Sequence, residues 1–180
     1  MPTEAVVRTP ALDRPDLLAA PVAAALRTLP ALAPLVEVAQ IDPELADTEA
    51  FCAAYGVLPE ESANCVIVAA RRGDVTSYAA CMVLATTKAD VNSLVRKHLG
   101  ARKASFAPMD TAVELSGMEY GGITPIGLPA DWPILVDAAV AAAPVAVVGS
   151  GIRGSKVWLP GAAIAGLPGA EVLEGLGVAR

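Results

Sequence analysis

The chain has 180 residues, a formal net charge of -6 and a hydrophobic content of 54%, of which aromatic residues supply only 4% of the chain. That length suits one domain with its own core, built mainly from Ala, Val and Leu. The negative charge argues against non-specific nucleic-acid binding driven by counterion release. The longest uncharged stretch, Ala138 to Ile152, is broken by Pro144, Gly149 and Gly151 and is too short to span a bilayer.

The N-terminus carries Glu4, Arg8, Asp13, Arg14 and Asp16 ahead of the apolar run Leu17 to Leu26, which is not the basic-then-apolar order of a secretory signal. A cytoplasmic protein is expected. Residues 1–34, punctuated by Pro2, Pro10, Pro15, Pro21, Pro30 and Pro34, read as an N-terminal extension packed on the body, with one helix, Val22 to Leu29, opened by Pro21. The main domain is expected to run over 35–180.

Leu35 to Ile41 alternates as a strand ended by Asp42-Pro43, and Asp47 or Thr48 caps a helix through Tyr55 with Gly56 after it. Cys65 to Ala70 and Val75 to Ala85 are partly β-branched runs joined by Arg71-Arg72-Gly73-Asp74, a hairpin signal. Asp90 or Asn92 caps a helix ending before Gly100, Lys103 to Ala107 reads as a strand, and Thr111 with Glu114 forms a capping box for a helix up to Gly117. Further strands are expected at Ile134 to Val136, Val145 to Val148 and Val157 to Leu159, with helical turns at Ala138 to Ala143 and Ala162 to Leu167 before a terminal apolar segment. Strands interspersed with hairpins and short helices predict a single α+β domain around a mixed sheet.

Between the capping-box helix and the next strand lies SGMEYGGITPIG, Ser116 to Gly127, with four glycines and a proline. Gly121 and Gly122 would let a ligand approach main-chain N–H groups, and Pro125 stiffens the exit. Alone, such a segment is also an ordinary turn. Gly149-Ser150-Gly151-Ile152-Arg153-Gly154 spells GxGxxG after a strand, but dinucleotide binding needs a helix to open there, and Ser155 to Leu159 reads as a strand. His98, the only histidine, sits in a last helical turn where a cation is favoured, without a second histidine or carboxylate pair to suggest a metal. Cys52, Cys65 and Cys81 form no CxxC pair and read as buried thiols. Arg96, Lys97, Arg102 and Lys103 cluster around Gly100, with Arg71, Arg72, Arg153 and Lys156 as further candidates for a basic patch; a run of this kind is ordinarily a solvated helix end.

The pieces LVRKHLGARKASFAP, LSGMEYGGITPIGLP, ILVDAA and VVGSGIRGSKVWLP, in that order and spacing, make the chain resemble the YbaK/prolyl-tRNA synthetase-associated domain family, whose members hydrolyse mischarged aminoacyl-tRNA. The likeness runs more weakly from about Val36 to Leu176. It implies a mixed, strongly curved β-sheet packed with short helices. It also implies that the 3′-terminal aminoacyl-adenosine of a tRNA rests on the GxxxP loop Gly121 to Pro125, beside a small amino-acid pocket, with a synthetase as a candidate partner. An aminoacyl ester is already activated, so a positioned water and a stabilised oxyanion suffice, with no metal, cofactor or protein nucleophile. On this resemblance Gly121, Gly122, Thr124 and Gly127 would shape the ester and oxyanion site. Ser150, Arg153, Gly154 and Lys156 would form its other wall, and Asn64 would orient the amino acid or water, while Tyr120 and Trp158 are candidates for stacking on the terminal base. Two positions depart from the family pattern: Asn64-Cys65 stands where Lys-Thr is usual, and Lys156 where an acid is frequent. The expectation is that Lys156 supplies the cation missing at Asn64. The alternative is a non-catalytic module binding aminoacyl-tRNA or an aminoacyl nucleoside.

Overall fold

The computed structural model describes residues 6–180, so Pro2 and Glu4 of the proline and charge patterns above lie outside the described residues. A short strand, β1 (Thr9–Pro10), is followed by two 3-10 turns and α1 (Ala20–Thr28), which has proline in its first turn as the sequence suggests and buries Val22, Ala23 and Leu26. β2 (Glu37–Gln40) leads through the turn Pro43–Leu45 into α2 (Thr48–Tyr55). Asp47 holds the N-cap position of α2 but its side chain makes no cap bond, and Gly56 closes the helix at φ 68°.

The predicted hairpin is the longest ladder in the fold, β3 (Ala63–Arg72) against β4 (Val75–Leu84), turned at Gly73 with φ 62°. The short strand β5 (Thr87–Ala89) follows. Asp90, of the two residues considered, accepts from the Ser93 N–H at 3.2 Å and starts a π-helical turn, Val91–Val95, that runs into α3 (Arg96–His98). β6 (Lys103–Phe106) then returns beside β3. The next helix, α4 (Met109–Ser116), begins two residues before the expected capping box: Pro108 is its N-cap, and Thr111 lies inside the first turn. Pro108 has no N–H to lose, and a proline at this boundary sets the entry without a side-chain cap.

The C-terminal part continues with β7 (Ile134–Asp137), α5 (Ala138–Ala141), β8 (Ala146–Gly149), β9 (Ser155–Leu159), α6 (Gly161–Ala165), β10 (Ala170–Leu173) and β11 (Gly177–Ala179). The strands form an antiparallel sheet β1-β2-β9-β8, a mixed sheet β10-β7-β4-β3-β6 and a two-stranded pair β11-β5. A single parallel bridge, Ser62 to Val147, with the Val147 N–H donating to the Glu61 carbonyl at 2.7 Å, joins the start of β3 to β8. Where one mixed sheet is expected from the sequence, the strands outside the β11-β5 pair divide between two open sheets that meet at this bridge, and the site lies near that junction.

The largest apolar cluster runs from Leu17, Val22 and Leu26 through Met82, Ile126, Val136 and Leu159, so the proline-rich N-terminal segment shares the core of the body. A second cluster seats α2 on β2, β8 and β9 through Phe51, Tyr55, Val147 and Trp158. Phe51 is wholly buried, worth about 2–3 kcal/mol of transfer free energy.

Candidate active site

The two glycine loops do meet, and glycine is what allows it. At the end of β8 a Cβ on Gly149 would collide with the Gly122 and Ile123 carbonyls, and one on Gly122 would lie 2.7 Å from the Ile152 carbonyl group. With neither present, the Gly151 N–H donates to the Gly122 carbonyl at 2.7 Å, and the Glu119 N–H to the Gly151 carbonyl at 2.9 Å. Arg153 completes the seam: its guanidinium donates to the Tyr120 carbonyl at 3.3 Å and the Pro43 carbonyl at 3.1 Å, and stacks 5.5 Å from the Tyr120 ring. No helix follows the GxGxxG sequence; β9 does, as the sequence reading required.

Beside this seam is a cavity of about 280 Å³ whose wall includes Asp47, Thr48, Asn64, Cys65, Met109, Tyr120, Gly121, Gly149 and Lys156. Asn64 comes from β3, Gly121 from the loop after α4, and Lys156 from β9, where its strand neighbours are Ala39 and Gly149. Both departures from the family pattern thus face one chamber, together with the first glycine of the GxxxP loop. Lys156 Nζ lies 5.3 Å from the centre of the Phe51 ring. Burial pushes its pKa below the usual lysine value, and Arg153 adds to that, while Cys52 and Asp47 push the other way. The Asn64 side-chain amide oxygen, Oδ1, accepts from Thr48 Oγ1 at 2.8 Å. This pair forms a wall shared with a second hollow of about 610 Å³, lined also by Cys52, Val57, Pro59 and Ala85. The Gly121 N–H has no acceptor among the described residues.

Residues 42–167 match the aminoacyl-tRNA editing domain. The chain belongs to that family. Among curated proteins none matches significantly. A crystal structure of a proposed trans-editing enzyme for prolyl tRNA synthetase is similar with a TM-score of 0.73 at 17% identity, over 92% of this chain and 96% of that one. A scaffold protein from epitope backbone grafting by computational design gives a TM-score of 0.73 at 17% identity, over 87% and 95% of the two chains. A third structure, of a hypothetical protein, gives 0.70 at 19% identity over 84% and 97%. These likenesses establish the α+β fold, which is that of the editing domain.

Within this editing domain most of the other loop residues singled out in the sequence stand behind the cavity wall. Gly122 and Gly127 face the chain's own backbone, the latter at φ 87° against the Pro21 carbonyl. Thr124 is fully buried, and its hydroxyl has no hydrogen-bond partner. Ser150 is also fully buried, with its hydroxyl 2.6 Å from Ser155 Oγ and accepting from the Ile152 N–H at 3.2 Å. Gly154 packs beside Pro43, and its carbonyl accepts from the Ile41 N–H at 2.9 Å. Tyr120 is 55% exposed at the cavity, whereas Trp158 is 6% exposed and packs edge-on to Phe51. Trp158 is therefore a core residue and cannot stack on a base. His98 pairs with Glu171 across 2.6 Å at the surface. Burial raises all three thiols, Cys81 to about 12, so none is a ready nucleophile.

Asp47, Thr48 and Met109 are wall residues that the sequence did not mark as such: the first two read only as cap positions, and Met109 lay ahead of the helix start expected at Thr111. A cap residue ends one element and faces the next, but which neighbour it faces is set by tertiary packing. The Thr48 bond to Asn64, sixteen residues away, has no local signal.

Proposed function

We propose that this editing-domain protein is a stand-alone deacylase, acting in trans in the cytoplasm, that hydrolyses the ester of a small amino acid mischarged on tRNA. The observation that supports it best is the convergence of Asn64, Gly121 and Lys156 on one chamber. Its volume suits an amino acid and its ester linkage, while the adenosine would lie at the mouth beside Tyr120.

Water attacks the ester carbonyl. The Lys156 ammonium and the Gly121 N–H offset charge developing on the carbonyl oxygen, and the Asn64 amide, fixed by Thr48, orients the amino acid or the water. Depressed basicity lets Lys156 also hand a proton to the leaving ribose oxygen more readily than a solvent-exposed lysine would. Asp47, on the same wall, provides a counter-charge for the substrate's α-ammonium group. Gly122, Thr124, Gly127, Ser150, Arg153 and Gly154 act through the loop seam that holds Gly121 and Lys156 in place. The upstream partner is a synthetase that produces the mischarged tRNA.

Asn64 at the family's lysine position favours a second reading, a module that binds aminoacyl-tRNA or an aminoacyl nucleoside without hydrolysing it. Incubation with a panel of mischarged tRNAs separates the two. Ester loss above the buffer rate for at least one small amino acid is expected; retained binding with no loss for any would leave only the binding module.

A further inference from the structure

The end of the fold away from the cavity holds an unusual concentration of charge. Arg71 and Arg72 end β3, Lys97 belongs to α3, and Arg102 and Lys103 lead into β6; all are exposed, and Arg96 is half-buried beside them. These six are close to half of the chain's 13 lysines and arginines, in a protein of net charge -6. Tertiary structure, not sequence proximity alone, gathers them. Arg71 is directly opposite Lys103 in the β3–β6 ladder, the Arg102 N–H donates to the Arg71 carbonyl at 2.9 Å, and the Arg72 guanidinium lies 3.9 Å from where a Cβ on Gly100 would be.

A solvated helix end would not require this arrangement. Like charges directly opposite in an antiparallel pair are destabilising, and opposite charges are the usual remedy. Here none of the six takes part in an ion pair among the described residues, whose ion pairs involve Arg8, Arg14 and His98. The only carboxylate in the adjoining turn is Asp74, which pairs with none of them. A lysine on an edge strand can serve to block edge-to-edge pairing, but that accounts for Lys103 alone. The patch is also placed in a definite relation to the cavity. Asn64 and Arg71 share β3, seven residues or about 23 Å apart at strand rise. β6 runs antiparallel from the patch back toward Met109 on the cavity wall.

We infer that Arg71, Arg72, Lys97, Arg102 and Lys103 form the docking surface for the phosphate backbone of the tRNA acceptor arm, whose aminoacylated 3′ end enters the cavity. The inference rests on the deacylase reading for its substrate, and the tRNA is held by charge on a surface remote from the chemistry. This confines the attraction of a polyanion to one patch of an acidic protein, giving orientation as well as affinity.

The test compares wild type with Arg71→Gln/Arg72→Gln/Lys103→Gln and with Arg14→Gln/Arg27→Gln/Lys88→Gln, which changes net charge equally elsewhere. Each is assayed on an aminoacylated acceptor-arm minihelix and on 3′-aminoacyl-adenosine. The patch variant should lose at least about tenfold in kcat/KM on the minihelix at 0.1 M salt, with the salt slope reduced by about 2–3. It should keep wild-type activity on aminoacyl-adenosine, and the control variant should keep both. A patch variant that matches wild type on the minihelix, or falls equally on both substrates, overturns the inference, as does a loss seen with full-length tRNA only. If wild type hydrolyses neither substrate, the deacylase reading has failed separately. Binding of uncharged minihelix then decides: weaker binding by the patch variant supports the docking surface, and equal binding overturns it.

Discussion

Gly121 and Gly122 are neighbours with opposite tasks. Gly121 is exposed, has φ 79°, and fronts the cavity; Gly122 is buried and touches the Ile152 backbone. The first leaves room for the Arg153 side chain at the cavity edge, and the next leaves room for the protein's own backbone. A glycine motif in sequence does not distinguish these uses, because both require only a missing Cβ. In this fold the boundary falls inside the Gly-Gly pair, and everything from Gly122 to Gly127 supports the half that is open.

The largest effects should separate chemistry from support. Lys156→Met should reduce deacylation at least about 100-fold, in the range seen when one group stabilising an oxyanion is removed. It should not cost stability, because a half-buried, partly desolvated charge gives way to an apolar side chain of similar length; a gain of up to about 1 kcal/mol in denaturant unfolding is expected. Gly122→Ala should do the reverse. Its Cβ would meet fixed backbone, so unfolding should show a loss of about 2–3 kcal/mol, with activity falling only as the loop seam shifts. Gly121→Ala stands between them: the Cβ meets the movable Arg153 guanidinium at a positive φ, so a stability loss of about 1 kcal/mol and a roughly tenfold fall in kcat are expected. If Gly121→Ala and Gly122→Ala had the same ratio of activity loss to stability loss, the division of the loop would be wrong.

Smaller effects sharpen the same contrast. Thr124→Val removes a buried hydroxyl that has no partner, and should leave stability unchanged or raise it by about 1 kcal/mol, with activity intact. The pH dependence follows from the lowered pKa of Lys156. If its ammonium form assists hydrolysis, the enzyme-dependent rate should decline as pH rises through a value below the usual 10.5. Stability has the opposite sign: the cost of the half-buried ammonium is fully present below the folded-state pKa and is relieved as pH rises from there toward the unfolded value. Wild type should therefore gain stability relative to Lys156→Met over that interval.

Much of the strand and helix order was legible because it rests on local patterns: the β3–β4 hairpin with its Arg-Gly-Asp turn, α2 between Asp47 and Gly56, and the absence of a helix after the second glycine loop. The strands β1, β5, β10 and β11 were not: β1, β5 and β11 have only two or three residues, β10 lies in a Gly- and Pro-flanked segment without a marked apolar run, and all four exist through their partners. In the site, Asn64 and Lys156 were found through departures from a family pattern. That they share a chamber was settled by the Gly149 rung, which lets the glycine loop lie on β9's neighbour. Asp47 and Thr48 read as caps from their place at the start of α2, although the Asp47 side chain makes no cap bond and the Thr48 hydroxyl is turned to Asn64. Trp158 was misplaced because an aromatic beside a loop motif resembles a stacking residue until α2 is seen to cover it with Phe51.

The most direct test is the first-order loss of ester from tRNA mischarged with a small amino acid, measured for wild type and Lys156→Met at neutral pH. Wild type should exceed the buffer rate and the variant should fall to near it while remaining folded. Equal rates for two folded proteins would contradict the assignment of the reaction to the chamber formed by Asn64, Gly121 and Lys156.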